Sequence, residues 1–219
     1  MKSLKYHNQN INSTYYIFLK RFLDIVLSIF LIIILSPIFI FIAFLIKVNT
    51  RGPIIFLHKR VGRNKKTFLC AKFRTMHPES EYILEKLLSQ NEKVKEEYFK
   101  NFKIINDPRI TNIGKFLRLT SLDELPQLIN VLKGEMSLIG PRPITDEEIK
   151  KYGSSFREVF SIRPGMTGLW QVSGRNKLSY KRRVMLDLIY VKTFNPLMDL
   201  RILLRTVGVI LFPFDRGAS

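Results

Sequence analysis

The chain has one cysteine, Cys70, in 219 residues, which excludes an internal disulfide and a thiolate zinc cluster. Its three histidines, His7, His58 and His77, stand apart and form no HxxxH or HxxE pattern, so the common zinc-enzyme arrangements are missing too. Acid is scarce: 18 Asp and Glu face 36 Lys and Arg, a net charge of +18. That excludes an acidic, solvating chain and points to an anionic partner: nucleic acid, a phosphorylated substrate or anionic lipid. There is no Asp-x-Asp metal motif, no Gly-x-Gly-x-x-Gly, and no strand–helix alternation of the kind that builds a doubly wound domain. Repeats and low-complexity tracts are absent. A hydrophobic content of 46% is enough for a core, so the chain is not a disordered basic tail.

What is present begins with an apolar run. Ile25 to Ile46 is 22 residues without a charge, and only Ser28, Ser36 and Pro37 fall outside the apolar set. As a helix it is about 33 Å long, enough to cross a hydrocarbon core. A core helix of that length shows a polar face, and this run has none. A cleaved signal ends on a small-residue site, which Lys47-Val48-Asn49 does not provide. Residues 1–76 hold 13 Lys and Arg and a single acid, Asp24. Four of those bases, Lys2, Lys5, Lys20 and Arg21, precede the run, and nine follow it between Lys47 and Arg74. Basic flanks stay in the cytoplasm, and a simple span puts one of them on the wrong side. A helix that enters, turns and returns satisfies both. Pro37 removes a backbone donor, and the Ser36 hydroxyl can take up the group so freed. The expectation is a re-entrant membrane helix broken at Ser36-Pro37 within an N-terminal segment, residues 1–50, with an ordinary kinked span as the alternative.

Residues 51–219 read as one domain on the cytoplasmic face. Pro53 to Met76 predicts a β-hairpin with a turn near Gly62-Arg63-Asn64. Alternation puts Leu69, Ala71 and Phe73 on one face and Lys72 and Arg74 on the other. Glu79 to Asn101 predicts a charged amphipathic helix, and Leu197 to Phe212 another, lying on the bilayer or packed in the core. The fold class is mainly α with a short β-hairpin (α+β). Asp24 is expected in a local pair with Lys20 and Arg21, Asp187 and Asp199 in pairs with arginines, and Trp170 at the membrane interface.

The centre of the chain carries the chemistry. Ser121-x-x-Glu124 has the pattern of a capping box and Gly134 that of a stop, which predicts three helical turns starting near Leu122. Asp123 and Glu124 fall in the first turn, where free N–H groups favour negative charge. Such a pair can simply cap a helix. Its neighbours point further: Arg118 lies just upstream, Pro141-Arg142-Pro143 follows, and Arg163-Pro164-Gly165 and Gly174-Arg175-Asn176 put more arginines beside turn residues. Carboxylates among stiffly held guanidiniums can bind a polyphosphate, hold a divalent cation or attack phosphorus.

These segments, in this order, resemble the bacterial monotopic phosphoglycosyl transferases, or bacterial sugar transferases. The resemblance runs from about Lys20 to Phe212. It rests on Lys20-Arg21-Phe22-Leu23-Asp24, Ser36-Pro37, Lys72-Phe73-Arg74-Thr75-Met76, Asp107-Pro108-Arg109-Ile110-Thr111, Ser121-Leu122-Asp123-Glu124-Leu125-Pro126-Gln127, Gly140-Pro141-Arg142-Pro143 and Arg163-Pro164-Gly165-Met166-Thr167-Gly168. The expectation from this likeness is the small, minimal form, without the large multi-span region of some members. It implies transfer of a sugar 1-phosphate from a UDP-sugar to undecaprenyl phosphate at the cytoplasmic face of the bacterial inner membrane, with UMP released. It also implies Mg²⁺ held by Asp123 and Glu124, Asp123 as nucleophile, Glu124 as its assistant, and Arg118, Arg142 and Arg175 on phosphates. Lys72 and Arg74 face the donor or a lipid headgroup. The partners implied are the UDP-sugar, undecaprenyl phosphate and anionic membrane lipids, not nucleic acid. Two rival classes are a conventional glycosyltransferase and a membrane-tethered basic protein that binds nucleic acid or lipid.

Overall fold

A computed structural model describes residues 10–101, 104 and 107–211. Lys2, Lys5 and Phe212 lie outside them. Helix α1 (Asn10–Asn49) runs through Ser36-Pro37 without interruption. Pro37 has no N–H to give the carbonyl of Ile33, and the Ser36 hydroxyl donates to that oxygen instead, at 2.8 Å. The freed acceptor is thus satisfied as the sequence predicts. The Ser36 bond replaces the one Pro37 cannot make, so the chain stays helical through these two residues. Ile33, Ile34, Ile40, Phe41 and Phe44 are exposed, and α1 is long and apolar enough to cross a membrane.

The hairpin forms as predicted. Strands β1 (Ile55–Val61) and β2 (Thr67–Phe73) pair antiparallel, Ile55 opposite Phe73 and Val61 opposite Thr67. This register puts His58, Arg60, Cys70 and Lys72 on one face. Ala71 and Phe73 are buried on the other, but Leu69, opposite Lys59, is exposed. The predicted helix over 79–101 is two, α2 (Ser80–Gln90) and α3 (Glu92–Asn101). Asn91 between them is extended and its side chain accepts from the Val94 N–H, the capping role asparagine prefers to a helix interior. In α4 (Asn112–Thr120) the Thr111 hydroxyl caps the start by accepting from Gly114 N–H at 2.9 Å. Just before it, Arg109 clasps Asp107 with bonds as short as 2.7 Å.

Helix α5 (Gln127–Lys133) is short and stops at Gly134, left-handed at φ 82. Asn130 fastens it to the hairpin: its Oδ1 accepts from Ala71 N–H at 2.9 Å and its Nδ2 donates to Leu69 O at 2.8 Å. One side chain thereby serves as a neighbouring strand for the free edge of β2. Strand β3 (Ser137–Ile139), the short helices α6 (Ile149–Tyr152) and α7 (Phe156–Val159), and strand β4 (Gly165–Thr167) follow. The parallel β3–β4 pair was not legible, since three residues per strand carry no period. A Cβ on Gly165 would collide with the backbone N of Gly140, so this close approach requires glycine. It draws the Pro141-Arg142-Pro143 and Arg163-Pro164 turns together. Helices α8 (Tyr180–Thr193) and α9 (Pro196–Leu211) complete the chain. The described fold is mostly helical with two two-stranded sheets, not a doubly wound domain.

Leu128, Val131, Met136, Tyr190 and Ile202 form the central core, and Leu27, Leu31 and Phe39 of α1 pack on it. Both ends of α1 are tied to the domain. At its start Tyr16 and Lys20 donate to Asp199, and Asp24 accepts from Leu138 N–H. At its end Ile42 and Ile46 pack with Phe73 and Leu117. Asp24 thus receives a backbone group rather than serving a local ion pair. Asp199 is held by Tyr16, Lys20 and Tyr190, and Asp187 by Tyr152, not by arginines. Helix α9 resolves its two alternatives by having two apolar faces: Ile202 and Val209 are buried, while Leu197, Leu200, Leu204 and Val207 are exposed. Trp170 is buried, not interfacial.

Candidate active site

Asp123 and Glu124 do not open an α-helix. They sit on a 3-10 turn, Leu122–Glu124, that joins α4 to α5. Ser121 makes no capping bond. It is left-handed at φ 59, and its hydroxyl accepts from Arg175 Nη2 at 3.1 Å. Arg175 is itself left-handed, at φ 49. Two strained backbone positions therefore meet across one hydrogen bond beside the acidic pair, as happens where a fold over-determines a site. The capping-box pattern failed because its serine is taken by a residue 54 positions away.

Lys72 reaches the pair from the hairpin. Its Nζ is 2.6 Å from Glu124 Oε1 and 3.8 Å from Asp123 Oδ2. Burial opposes the charge on Glu124, but Lys72, Arg142 and Arg175 override it and hold the carboxyl below its ordinary range. Asp123 goes the other way. Burial and the adjacent Glu124 raise it, against the pull of Lys72, Arg118 and Arg142. The sequence predicts an Asp123 kept ionised by a helix start. The direction is reversed because burial, with Glu124 alongside, outweighs the cations around Asp123.

The open cleft beside them is lined by Arg60, Cys70, Lys72, Glu124, Gln127, Arg142 and Gln171. Arg142 stacks over Trp170 at 5.9 Å to the ring centroid, with Arg183 on the same ring at 4.8 Å. Arg118 donates from Nε to Thr75 Oγ1 at 2.9 Å. Lys72, Arg118, Arg142 and Arg175 therefore converge on the carboxylates. Arg74 does not. Its guanidinium donates to Thr50 O, Thr50 Oγ1 and Arg51 O and caps the end of α1. Arg163 points elsewhere too, to Gly134 O at 2.8 Å. Sequence reasoning missed Arg60, Gln127 and Gln171. Arg60 was findable, since strand alternation puts it on the face of Lys72.

Among the described residues no group of three His, Cys, Asp or Glu side chains could hold a metal ion. Two adjacent carboxylates do fit Mg²⁺, which keeps most of its shell for water and phosphate oxygens. The site thus defines a cation-rich, two-carboxylate centre suited to phosphate chemistry beside a membrane-length helix. Residues 15–213 match the bacterial sugar transferase family, and the chain belongs to it. An undecaprenyl-phosphate galactose phosphotransferase of Salmonella typhimurium is 50% identical over 194 residues, 89% of this chain and 40% of that protein. An uncharacterized sugar transferase of Haemophilus influenzae is 51% identical over 193 residues, 88% of this chain and 41% of its own. The exopolysaccharide production protein ExoY of Sinorhizobium fredii is 42% identical over 87% of this chain and 84% of its own. The chain spans about two fifths of the length of the first two relatives.

Proposed function

We propose that this protein transfers sugar 1-phosphate from a UDP-sugar to undecaprenyl phosphate, at the cytoplasmic face of the membrane. The observation that carries the reading is Asp123 and Glu124 side by side, with Lys72, Arg118, Arg142 and Arg175 gathered around them, in a chain of this family. The Asp123 carboxylate attacks the sugar-bearing phosphorus. The bond from that phosphorus to the bridging oxygen breaks, and UMP leaves. The phosphosugar is then an acyl phosphate on Asp123. An oxygen of undecaprenyl phosphate attacks the same phosphorus, which frees the carboxylate and gives the polyprenyl diphosphate sugar. Lys72 keeps Glu124 charged and oriented, and the arginines screen like charges as the phosphates approach. Asp123 and Glu124 would hold Mg²⁺, which would supply further neutralisation of charge.

The same reading puts α1 in the bilayer as a re-entrant helix. A straight helix separates Arg21 from Thr50 by about 43 Å. Yet Arg21 donates to Val131 O, the next residue Asn130 holds Ala71, and Arg74, three further along, holds Thr50. That short chain of contacts favours a bend, and Pro37 lies midway. The basic flanks favour it too.

The test is UMP release from a panel of UDP-sugars by purified protein with Mg²⁺ and undecaprenyl phosphate. UDP-galactose and UDP-glucose head the panel, because relatives are named for galactose and glucose transfer. UMP release that needs the lipid and Asp123 is the expected result. UDP release would mean that the sugar moves without its phosphate and would overturn the mechanism. Cysteines introduced singly at positions 10 and 50 test the topology, and opposite accessibility of the two would sink the re-entrant reading.

A further inference from the structure

A second cleft lies at the foot of α1, apart from the acidic pair. It is lined by Lys20, Arg21, Asp24, Arg63 and Arg163, with Ile17, Ile162 and Phe194 as apolar walls. The cations come from three separate segments: the start of α1, the hairpin turn, and the stretch before β4. The acidic pair precedes α5, whereas this cleft gathers at its other end. Arg21 donates to Val131 O and Leu132 O at 2.7 and 3.0 Å, and Arg163 Nε donates to Gly134 O at 2.8 Å. Arg63 Nε donates to Ser161 O at 3.0 Å. Capping carbonyls accounts for only part of these side chains. A guanidinium carries five N–H donors, and among the described residues the Nη atoms of Arg63 and Arg163 have no hydrogen-bond acceptor.

The charge is equally incomplete. Lys20 is paired with Asp199 at 2.6 Å, and Asp24 has its Oδ1 on Leu138 N–H. None of Arg21, Arg63 and Arg163 forms an ion pair with a carboxylate among the described residues. Burial, then the nearness of Arg21 and Arg63, holds the Arg163 guanidinium below its ordinary range, against the opposing pull of Asp24. Mutual repulsion of this kind is relieved by an anion with several acceptor oxygens, and two guanidinium forks match a phosphate group.

We propose that this cleft binds a phosphate ester anion between the Nη forks of Arg63 and Arg163. Its position selects between sources. Lys20 and Arg21 immediately precede the apolar run, and Tyr15, Phe18 and Phe22 beside them are exposed apolar side chains. With α1 in the bilayer, as the function proposed above requires, the cleft sits at the depth of lipid phosphates, and Ile17, Ile162 and Phe194 can cover a glycerol backbone. A soluble phosphate compound presents the same chemistry without that depth.

The test uses the full chain in detergent, stripped of lipid. Retention of added phosphatidylglycerol is read by native mass spectrometry in the unmodified protein, Arg63→Gln, Arg163→Gln and Lys65→Gln. Loss of about tenfold in lipid retention is expected for the first two variants. Lys65→Gln, a charge in the same turn that does not line the cleft, is expected to retain lipid fully. Arg163→Gln also loses the bond to Gly134, so Arg63→Gln, which gives up one bond on an exposed turn, keeps the test sound if the other fails to fold. In a second arm, a melting-temperature rise with millimolar inorganic phosphate that vanishes in Arg63→Gln, without lipid retention, would keep the anion site and make its ligand a soluble phosphate. Equal lipid retention and equal phosphate response in all four proteins would overturn the proposal. UMP release is measured on the same samples, and Arg63→Gln is expected to retain it. Failure of release in the unmodified protein would count against the transferase reading alone.

Discussion

Asp199 and Asp123 are buried to nearly the same degree, at 6% and 7% exposed, yet the molecule treats them differently. Asp199 sits where α1, α8 and α9 meet and takes three short bonds, from Tyr16 at 2.7 Å, Lys20 at 2.6 Å and Tyr190 at 2.8 Å. Asp123 has an ion pair of 3.8 Å with a lysine that belongs to its neighbour. Buried charges are costly unless paired, so the first arrangement is what a fold does with a carboxylate it needs for cohesion. The second leaves a carboxylate raised in pKa, beside a cleft, with one long ion pair to the cations that ring it. The difference separates a strut from a group held ready for a ligand that brings its own charges.

Replacing each carboxylate breaks the comparison in opposite ways. Asp123→Asn is expected to lower UMP release by about 1,000-fold or more while the melting temperature stays close to that of the unmodified protein. A variant that kept its turnover would remove Asp123 from the chemistry. Lys72→Met is expected to lower kcat/KM by about 100-fold. It also removes the cation that keeps Glu124 low, so the acid limb of the pH–rate profile moves to higher pH. An unmoved limb would show that Lys72 acts only on substrate. Asp199→Ala should do the reverse of Asp123→Asn. It leaves Lys20 unpaired and costs about 3 kcal/mol of stability, measured by denaturant unfolding, with little change in turnover per folded molecule.

Whatever depended on local pattern was legible: the apolar helix, the hairpin, the stop at Gly134 and the acidic pair itself. What failed depended on partners far along the chain. Lys72 and Arg74 share a predicted strand and a predicted face, yet one meets Glu124 and the other, just past the end of β2, caps the end of α1 through Thr50 and Arg51. Nothing local distinguishes them, because the deciding carbonyls lie 23 and 24 residues back. Ser121-x-x-Glu124 is a sound capping pattern that tertiary structure overrode by giving the serine to Arg175. Asp24 reads as one end of an i, i+4 pair with Lys20, and its actual partner is 114 residues away. Side chains that cap, clamp or pair across the chain are invisible to periodicity, and here they are the ones that position the site.

Asp187 in α8 sharpens the comparison through its dependence on pH. It is fully buried, its Oδ2 accepts from Tyr152 at 2.9 Å, and its Oδ1 has no hydrogen-bond partner among the described residues. Burial raises its carboxyl from the ordinary range to about 8, against the pull of the Tyr152 hydroxyl and Arg142. The folded state therefore holds a proton that the unfolded chain releases above about pH 4. Because the folded state binds more protons, stability falls as pH rises from about 4 to about 8, by about 1.4 kcal/mol per pH unit at most, and levels off above that. Asp187→Asn keeps the shape of the protonated group and cannot ionise. Its unfolding free energy is expected to lose that slope between pH 5 and pH 8, so it gains on the unmodified protein toward the alkaline end. Parallel pH–stability curves for the two proteins would mean that Asp187 is ionised in the fold, and that its burial is compensated as fully as that of Asp199.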